Sequence, residues 1–368
     1  MLLWWSRAVT SVVVGLILAY LFVVDRDLLK SLLSAVCLWM YSSFRSPFML
    51  QLFARVMGSK PPSSLPKLDS IEKVSERVYR VLGQNPGMHT LQGTNIFLVA
   101  GKKTQDHVLI DTGEFRTSKQ FLRFLFDEVF PKTGTKRLKS IILTHGHADH
   151  QGGVVPILEA LRDRNMLPLP LIYKRNVKDG RYPAKGFDCL DIEDNQVFQV
   201  DSETTLQAVY TPGHTDDHVA LVLNEDNALF SGDCVLGCGT AVFDDLHEYM
   251  CSLEKIKQLI QLSPGSVHTI YPGHGPVIRD NALAKIDEYI THRMQREQQI
   301  VEALSSLPPG KWSTSLELVR VVYGDALPTG LILSAQGSLM HHLRKLQKEC
   351  SVDFRWPDLW RQIGPHRR

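Results

Sequence analysis

The sequence carries no excess of charge of either sign: 41 basic residues stand against 39 acidic ones, a formal net charge of +2. That excludes attraction to nucleic acid by the field of the whole chain, so any such binding needs a local patch. Cysteine is sparse. The six residues, at positions 37, 189, 234, 238, 251 and 350, form no CxxC pair. This excludes a paired structural zinc site and reads as free thiols in a reducing compartment rather than a disulfide framework. No Asn-x-Ser/Thr sequon occurs, so no acceptor for N-glycosylation is offered. What remains is ordinary: 44% hydrophobic and 22% charged over 368 residues, enough for more than one structural unit.

Long apolar runs are confined to one end. Ala8 to Val24 gives 17 uncharged residues, preceded by Leu2, Leu3, Trp4 and Trp5, near the lower limit for a helical span. The DRDLLK that follows has no small-x-small cleavage signature, which favours an uncleaved anchor over a signal peptide. Ser31 to Phe44 adds 14 uncharged residues, short for a span and suited to the interface. A hydrophobic hairpin docked on the rest of the chain is the alternative. Residues 1–58 are therefore expected to be a single-pass N-terminal membrane anchor and residues 59–67, SKPPSSLPK, a linker. The flanking charges hardly bias the orientation. Unpaired cysteines and the missing sequon lean toward a catalytic part facing the cytosol or a matrix.

Residues 68–293 alternate short β-rich runs (NIFLVA, HVLIDTG, SIILTHG, HVALVLN, TIYPGHG) with helical patterns at 118–129, 154–162 and 249–262. This predicts a layered α/β domain with hairpins as well as crossovers, one of them around Asn224 to Asn227. Residues 294–368 change character. Three amphipathic helical patterns and a short apolar pair around Val352 to Trp356 predict a small winged-helix-like domain.

The chemistry is concentrated in Thr144-His145-Gly146-His147-Ala148-Asp149-His150, directly after the apolar strand Ile141-Ile142-Leu143. Three imidazoles and a carboxylate converge only if the chain turns sharply, which Gly146 permits, while Gly152 and Gly153 let a helix start close by. Neutral imidazole and carboxylate are the donors of catalytic zinc. Further donors follow at later strand ends: His214 after Thr211-Pro212-Gly213, Asp233 after Phe230-Ser231-Gly232, and His274 after Tyr271-Pro272-Gly273. Asp111 ends a strand in the same fashion and is placed behind the ligands, orienting a histidine through its free N–H. His218 is placed behind them too, with an ordinary strand position as the alternative. Cys234 reads as a small core residue.

The H-x-H-x-D-H motif with later His, Asp and His resembles the metallo-β-lactamase superfamily. Three longer strings, NPGMHTLQGTNIFLVA, TPGHTDDHVALVL with ALFSGDCVLG, and IYPGHGPVI, together with YITHRMQREQQI, resemble the β-lactamase-like protein 2 family of endoribonucleases from about Leu68 onward. The resemblance implies an αββα sandwich and two zinc ions per chain. His145, His147 and His214 would hold one, Asp149, His150 and His274 the other, and Asp233 would bridge. Asp149 would be catalytic, orienting a metal-bound hydroxide. In that family the two variable positions of the motif are bulky aromatic and arginine. Here they are Gly146 and Ala148, which leads us to expect a wider mouth.

The family reading favours single-stranded RNA as the substrate and partner. Lys174, Arg175, Lys178, Arg181 and Lys185, interleaved with Tyr173 and Tyr182, offer a local basic run, the first four being candidate RNA contacts. A glyoxalase-II-like hydrolase of acyl thioesters is the alternative, given some weight by the small residues at 146 and 148 and the apolar amino terminus. A non-catalytic membrane-anchored scaffold is a third reading. No protein partner is inferred.

Overall fold

The computed structural model describes residues 64–178, 180–262, 267–308, 310–324 and 332–363. The expected anchor, residues 1–58, lies outside the described residues. Among those described, no helix is long and apolar enough to cross a membrane.

Two sheets carry the first unit. One runs β1 (Ile71–Lys73), β2 (Val78–Leu82), β3 (Asn95–Val99), β4 (Asp106–Ile110), β5 (Arg137–Ile142) and β6 (Leu171–Tyr173), in that spatial order. The other runs β11 (Thr269–Pro272), β10 (Ala228–Gly232), β9 (Val219–Leu223), β8 (Thr204–Tyr210) and β7 (Val197–Asp201). Because successive side chains point to opposite faces, each central strand splits its residues between two cores. Phe97, Val99, Val108 and Ile110 meet Leu206, Leu221, Phe230 and Tyr271 between the sheets. Ile96, Leu98, Leu109 and Ile141 instead face Phe121, Leu125, Val154 and Ile157 of the helices outside the first sheet. Ala220, Val222, Leu229 and Ile270 face Leu246, Tyr249, Leu253 and Ile256 of the helix Leu246–Leu262. Strands covered on both faces must be apolar at every position, which is why β3, β9 and β10 are buried throughout. The layers are helix, sheet, sheet, helix, as the resemblance implied.

Pairing direction decides where the loops emerge. β4 and β5 are parallel, as are β10 and β11, so the carboxyl ends of each pair lie at the same edge of their sheet. The expected hairpin around Asn224 joins antiparallel β9 and β10, closed by Asn227 in the left-handed region (φ 47°), which asparagine tolerates.

The second unit begins at Arg293, inside the helix Ala282–Ser305. It continues with the helices Ser315–Tyr323 and Ile332–Lys348 and the hairpin of β12 (Val352–Arg355) and β13 (Leu359–Gln362). The helix Ser315–Tyr323 starts in a capping box, Thr314 accepting from the Glu317 backbone N–H and Glu317 accepting from that of Thr314. Its core gathers Ile300, Leu304, Leu318, Leu339, Leu343, Leu346, Val352 and Trp360. This is the winged-helix pattern the sequence suggested.

Candidate metal centre

The loop after β5 is held from behind by Asp111. Its carboxylate accepts from the Thr144 backbone N–H (2.8 Å) and the Thr144 hydroxyl (2.8 Å), and lies 2.8 Å from His150 Nδ1. Asp111 itself sits at φ 60°, a conformation that aspartate tolerates better than most residues. Since a carboxylate only accepts, His150 must carry its proton on Nδ1, which turns the lone pair of Nε2 inward. The same logic fixes two more rings. Thr144 gives its hydroxyl proton to Asp111, so its oxygen accepts from His145 Nδ1 at 3.0 Å. His214 Nδ1 donates to the Val242 carbonyl at 2.7 Å.

Those inward nitrogens converge. His145 Nε2, His147 Nδ1 and His214 Nε2 lie 3.0 to 3.3 Å from one another, and with Asp233 they form one group of donors. Asp149, His150 and His274 form a second. Asp233 reaches both: its Oδ2 is 3.6 Å from His214 Nε2 and 3.3 Å from His274 Nε2, while its Oδ1 is 3.5 Å from His150 Nε2. Three lone pairs pointing at one place repel unless a cation lies among them. Asp233 Oδ1 is buried with no hydrogen-bond partner, a costly state for a carboxylate oxygen. Both observations fit metal ions, and His with carboxylate donors suits zinc or iron.

The electrostatics divide along the same line. Burial, then the neighbouring histidines, holds His145 well below its ordinary range, and burial brings His147 down to about 4. Both rings are neutral donors at pH 7, as metal binding requires. For His150 and His274 burial also works downward. It is outweighed by Asp149 and Asp233, which push His150 well up and His274 to about 10. Both carboxyls sit well below the usual range despite burial, because of these same two rings. Two carboxylates, Asp233 buried and Asp149 half-buried, thus draw positive charge to this side of the site.

His218 stands behind Asp233. Its Nε2 accepts from the Asp233 backbone N–H at 3.1 Å, and its Nδ1 lies 2.8 Å from the Thr211 hydroxyl. Cys234 is fully buried, and burial lifts its thiol to about 12; it packs and is inert.

Two expectations need correction. Lys174 is not an exposed cation: it is buried in an ion pair with Asp217 at 2.6 Å, both side chains 2% exposed. Arg175 is half-buried, donating to the Ile192 carbonyl and lying over the Tyr210 ring. Lys178 and Arg181 are exposed. Nor does Gly146 widen the mouth. A Cβ there would come within 2.5 Å of Tyr182 Cβ and 2.9 Å of Asp217 Oδ2. The space is filled by the chain at Tyr182, whose ring meets that of His147 edge-on at 4.9 Å. Only the Ala148 position is exposed.

Sequence reasoning missed Thr94. Asn85 grips it twice, through its backbone N–H (2.9 Å) and its hydroxyl (3.0 Å), and that hydroxyl donates to Asp149 Oδ2 at 3.1 Å. Both lie in the string NPGMHTLQGT, quoted above only for its resemblance. Gly273 was also passed over. A Cβ there would fall 2.2 Å from Asp233 Oδ1 and 3.0 Å from His150 Cε1, so this glycine makes room for the carboxylate.

Comparison with known proteins agrees. Residues 89–276 match the Metallo-beta-lactamase superfamily and residues 314–354 the Beta-lactamase associated winged helix domain. A Beta-lactamase-like protein 2 homolog of Caenorhabditis elegans is 41% identical over 300 residues, 80% of this chain and 94% of the relative. An atrochrysone carboxyl ACP thioesterase of Aspergillus novofumigatus is 36% identical over 298 residues, 79% of this chain and 84% of the relative. The fold is shared with a beta-lactamase domain protein from Burkholderia ambifaria at 16% identity, TM-score 0.62, covering 83% of this chain and all of that one. With seven His and Asp side chains gathered as candidate metal donors on this fold, the chain belongs to the metallo-beta-lactamase superfamily and is one of its hydrolases.

Proposed function

We propose that the chain is a zinc-dependent endonuclease acting on single-stranded RNA. The observation that carries this reading is the segment closing over the metal centre. Tyr182 touches His147, while Lys178 and Lys185 on the same segment are exposed, as is Arg181, which pairs with Asp244 at 3.3 Å. An aromatic ring between cations, beside a hydrolytic centre, offers a base a stacking face and the backbone its counter-charge. His145, His147 and His214 would hold one ion, Asp149, His150 and His274 the other, with Asp233 between them. When bound, two such ions lower the pKa of a water and neutralise charge at the leaving oxygen. Asp149, held by Thr94 and flanked by His150 and His274, would orient that water as the catalytic residue. Asp111 and His218 keep His150 and Asp233 aimed.

One observation favours acyl-thioester hydrolysis as a second reading. Met88, Phe115 and Val242 are 62%, 65% and 53% exposed, and each sits on a segment that reaches the ligands. Val242 accepts from His214, the Phe115 segment packs on Gly152, and Met88 precedes Thr94. These side chains suit an acyl group, and a relative carries the name of a thioesterase.

The two are separated by incubating the purified full chain with labelled single-stranded RNA and, in parallel, with a panel of acyl thioesters. Asp149→Ala serves as the blank. RNA cleavage that disappears in the blank is expected. Cleavage that persists there, or thioester turnover with RNA left intact, overturns the nuclease reading. We further infer that residues 8–24 tether the enzyme to a membrane with the metal centre on its cytosolic or matrix side.

A further inference from the structure

The wing of the second unit has a buried and an unburied side. Val352 and Trp360 point into the core, and Trp360 donates its indole N–H to Asp358 at 2.7 Å. Reciprocal backbone bonds between Ser313 and Trp360, 2.9 and 2.8 Å, tie residues 311–313 alongside β13. The hairpin is therefore braced on both flanks. Phe354 packs its ring against that of Trp360, 4.7 Å between centres. Trp356, just past the end of β12, is 73% exposed and Phe354 is 38% exposed. The Arg361 guanidinium lies 4.6 Å from the Trp312 ring centre. Its charge is met by Asp353 at 2.7 Å. Lys311 and Arg355 are exposed and have no acidic partner among the described residues.

Exposed tryptophan on a braced hairpin is costly to leave in water and stabilises nothing within the fold. Its neighbours decide what it fits. The segment Phe354-Arg355-Trp356-Pro357 is strand and turn, whereas an interfacial lipid anchor is an amphipathic helix. Flat rings interleaved with unpaired cations suit a strand whose bases stack and whose phosphates carry the charge. We propose that the wing is a second contact for single-stranded RNA, a base stacking on Trp356 while Arg355 and Lys311 meet the backbone. The inference rests on the nuclease reading for its ligand. Held at the wing, RNA is kept at a raised effective concentration for the metal centre of the same chain.

The test uses the full chain stripped of metal with chelator, so that binding of a labelled oligouridine is read without cleavage. Trp356→Ala is expected to weaken binding roughly ten- to a hundredfold, the range for one lost base stack. Trp356→Phe should keep most of the affinity. Arg355→Ala should flatten the slope of log affinity against log salt by about 0.7. With metal restored, Trp356→Ala should raise KM for RNA and leave kcat unchanged. Oligouridine binding by Trp356→Ala at wild-type strength overturns the proposal. So does a loss confined to phosphatidylserine-containing vesicles, which would assign the wing to a membrane. If the wild type cleaves no RNA but its oligouridine binding depends on Trp356, the wing contact stands and the nuclease reading falls. If RNA is cleaved with equal KM by both proteins, the reverse holds.

Discussion

Replacing Lys174 with methionine tests the finding that this lysine is one half of a buried ion pair and not an RNA contact. The ammonium lies 2.6 Å from Asp217 with both side chains 2% exposed, so methionine keeps the length and volume but leaves a carboxylate unpaired in the interior. Breaking a buried pair from one side costs about 3–5 kcal/mol. At ~2–4 °C per kcal/mol for a domain of this size, Tm should fall by roughly 6–20 °C. The double variant Lys174→Met with Asp217→Leu removes both charges and should recover most of the loss. The pH dependence carries a sign. Burial raises the Asp217 carboxyl above the ordinary carboxylate range, and Lys174 opposes that rise; without the lysine the rise is greater. A carboxyl raised in the folded state favours folding fully below its unfolded pKa and loses that contribution as pH rises through the folded value. The deficit of Lys174→Met against wild type should therefore be larger at mildly alkaline than at mildly acidic pH. Calorimetric melting of both variants across pH is the assay. A Tm within about 2 °C of wild type, together with weakened RNA binding, would refute the reasoning and return Lys174 to the surface.

Asp111→Asn should lower metal affinity by roughly ten- to a hundredfold, read by competition with a chelating dye, because an amide cannot both serve Thr144 and accept from His150. Gly273→Ala sets a methyl group against Asp233, so metal content by mass spectrometry should fall while the far-ultraviolet circular dichroism stays native. Gly146→Trp, which restores the bulk typical of the resembling family, should destabilise by at least ~1–3 kcal/mol, because Tyr182 already fills that space. Removing residues 1–58 should release the protein from the membrane pellet with its metal content unchanged.

The ligands were legible because their information is local. H-x-H-x-D-H fits only a strand followed by a tight loop, and each later donor stands behind its own apolar strand and turn. The αββα layering was legible for a related reason, since strands such as NIFLV and ALFSG are apolar at every position. The surroundings of the site were not. Lys174 reads as one of a run of cations until Asp217 is brought to it from another sheet, and no pattern within the run announces that. Gly146 reads as an absence of bulk until the chain at Tyr182 is seen to occupy the place. Thr94 and Asn85 carry ordinary polar side chains and matter only because β3 starts beside the metal loop. The passage between units falls in the middle of the helix Ala282–Ser305, where helical periodicity runs on without a break.

The hydrogen bonds behind the ligands have a consequence for how the enzyme is charged. Asp111, Thr144 and the Val242 carbonyl fix three of the imidazoles, and none of these anchors belongs to the donor set itself. The cradle is thus assembled by the scaffold, in contrast to small zinc domains that are unfolded without their ion. The tautomer of each of these rings is therefore set by the fold and not by the ion that binds.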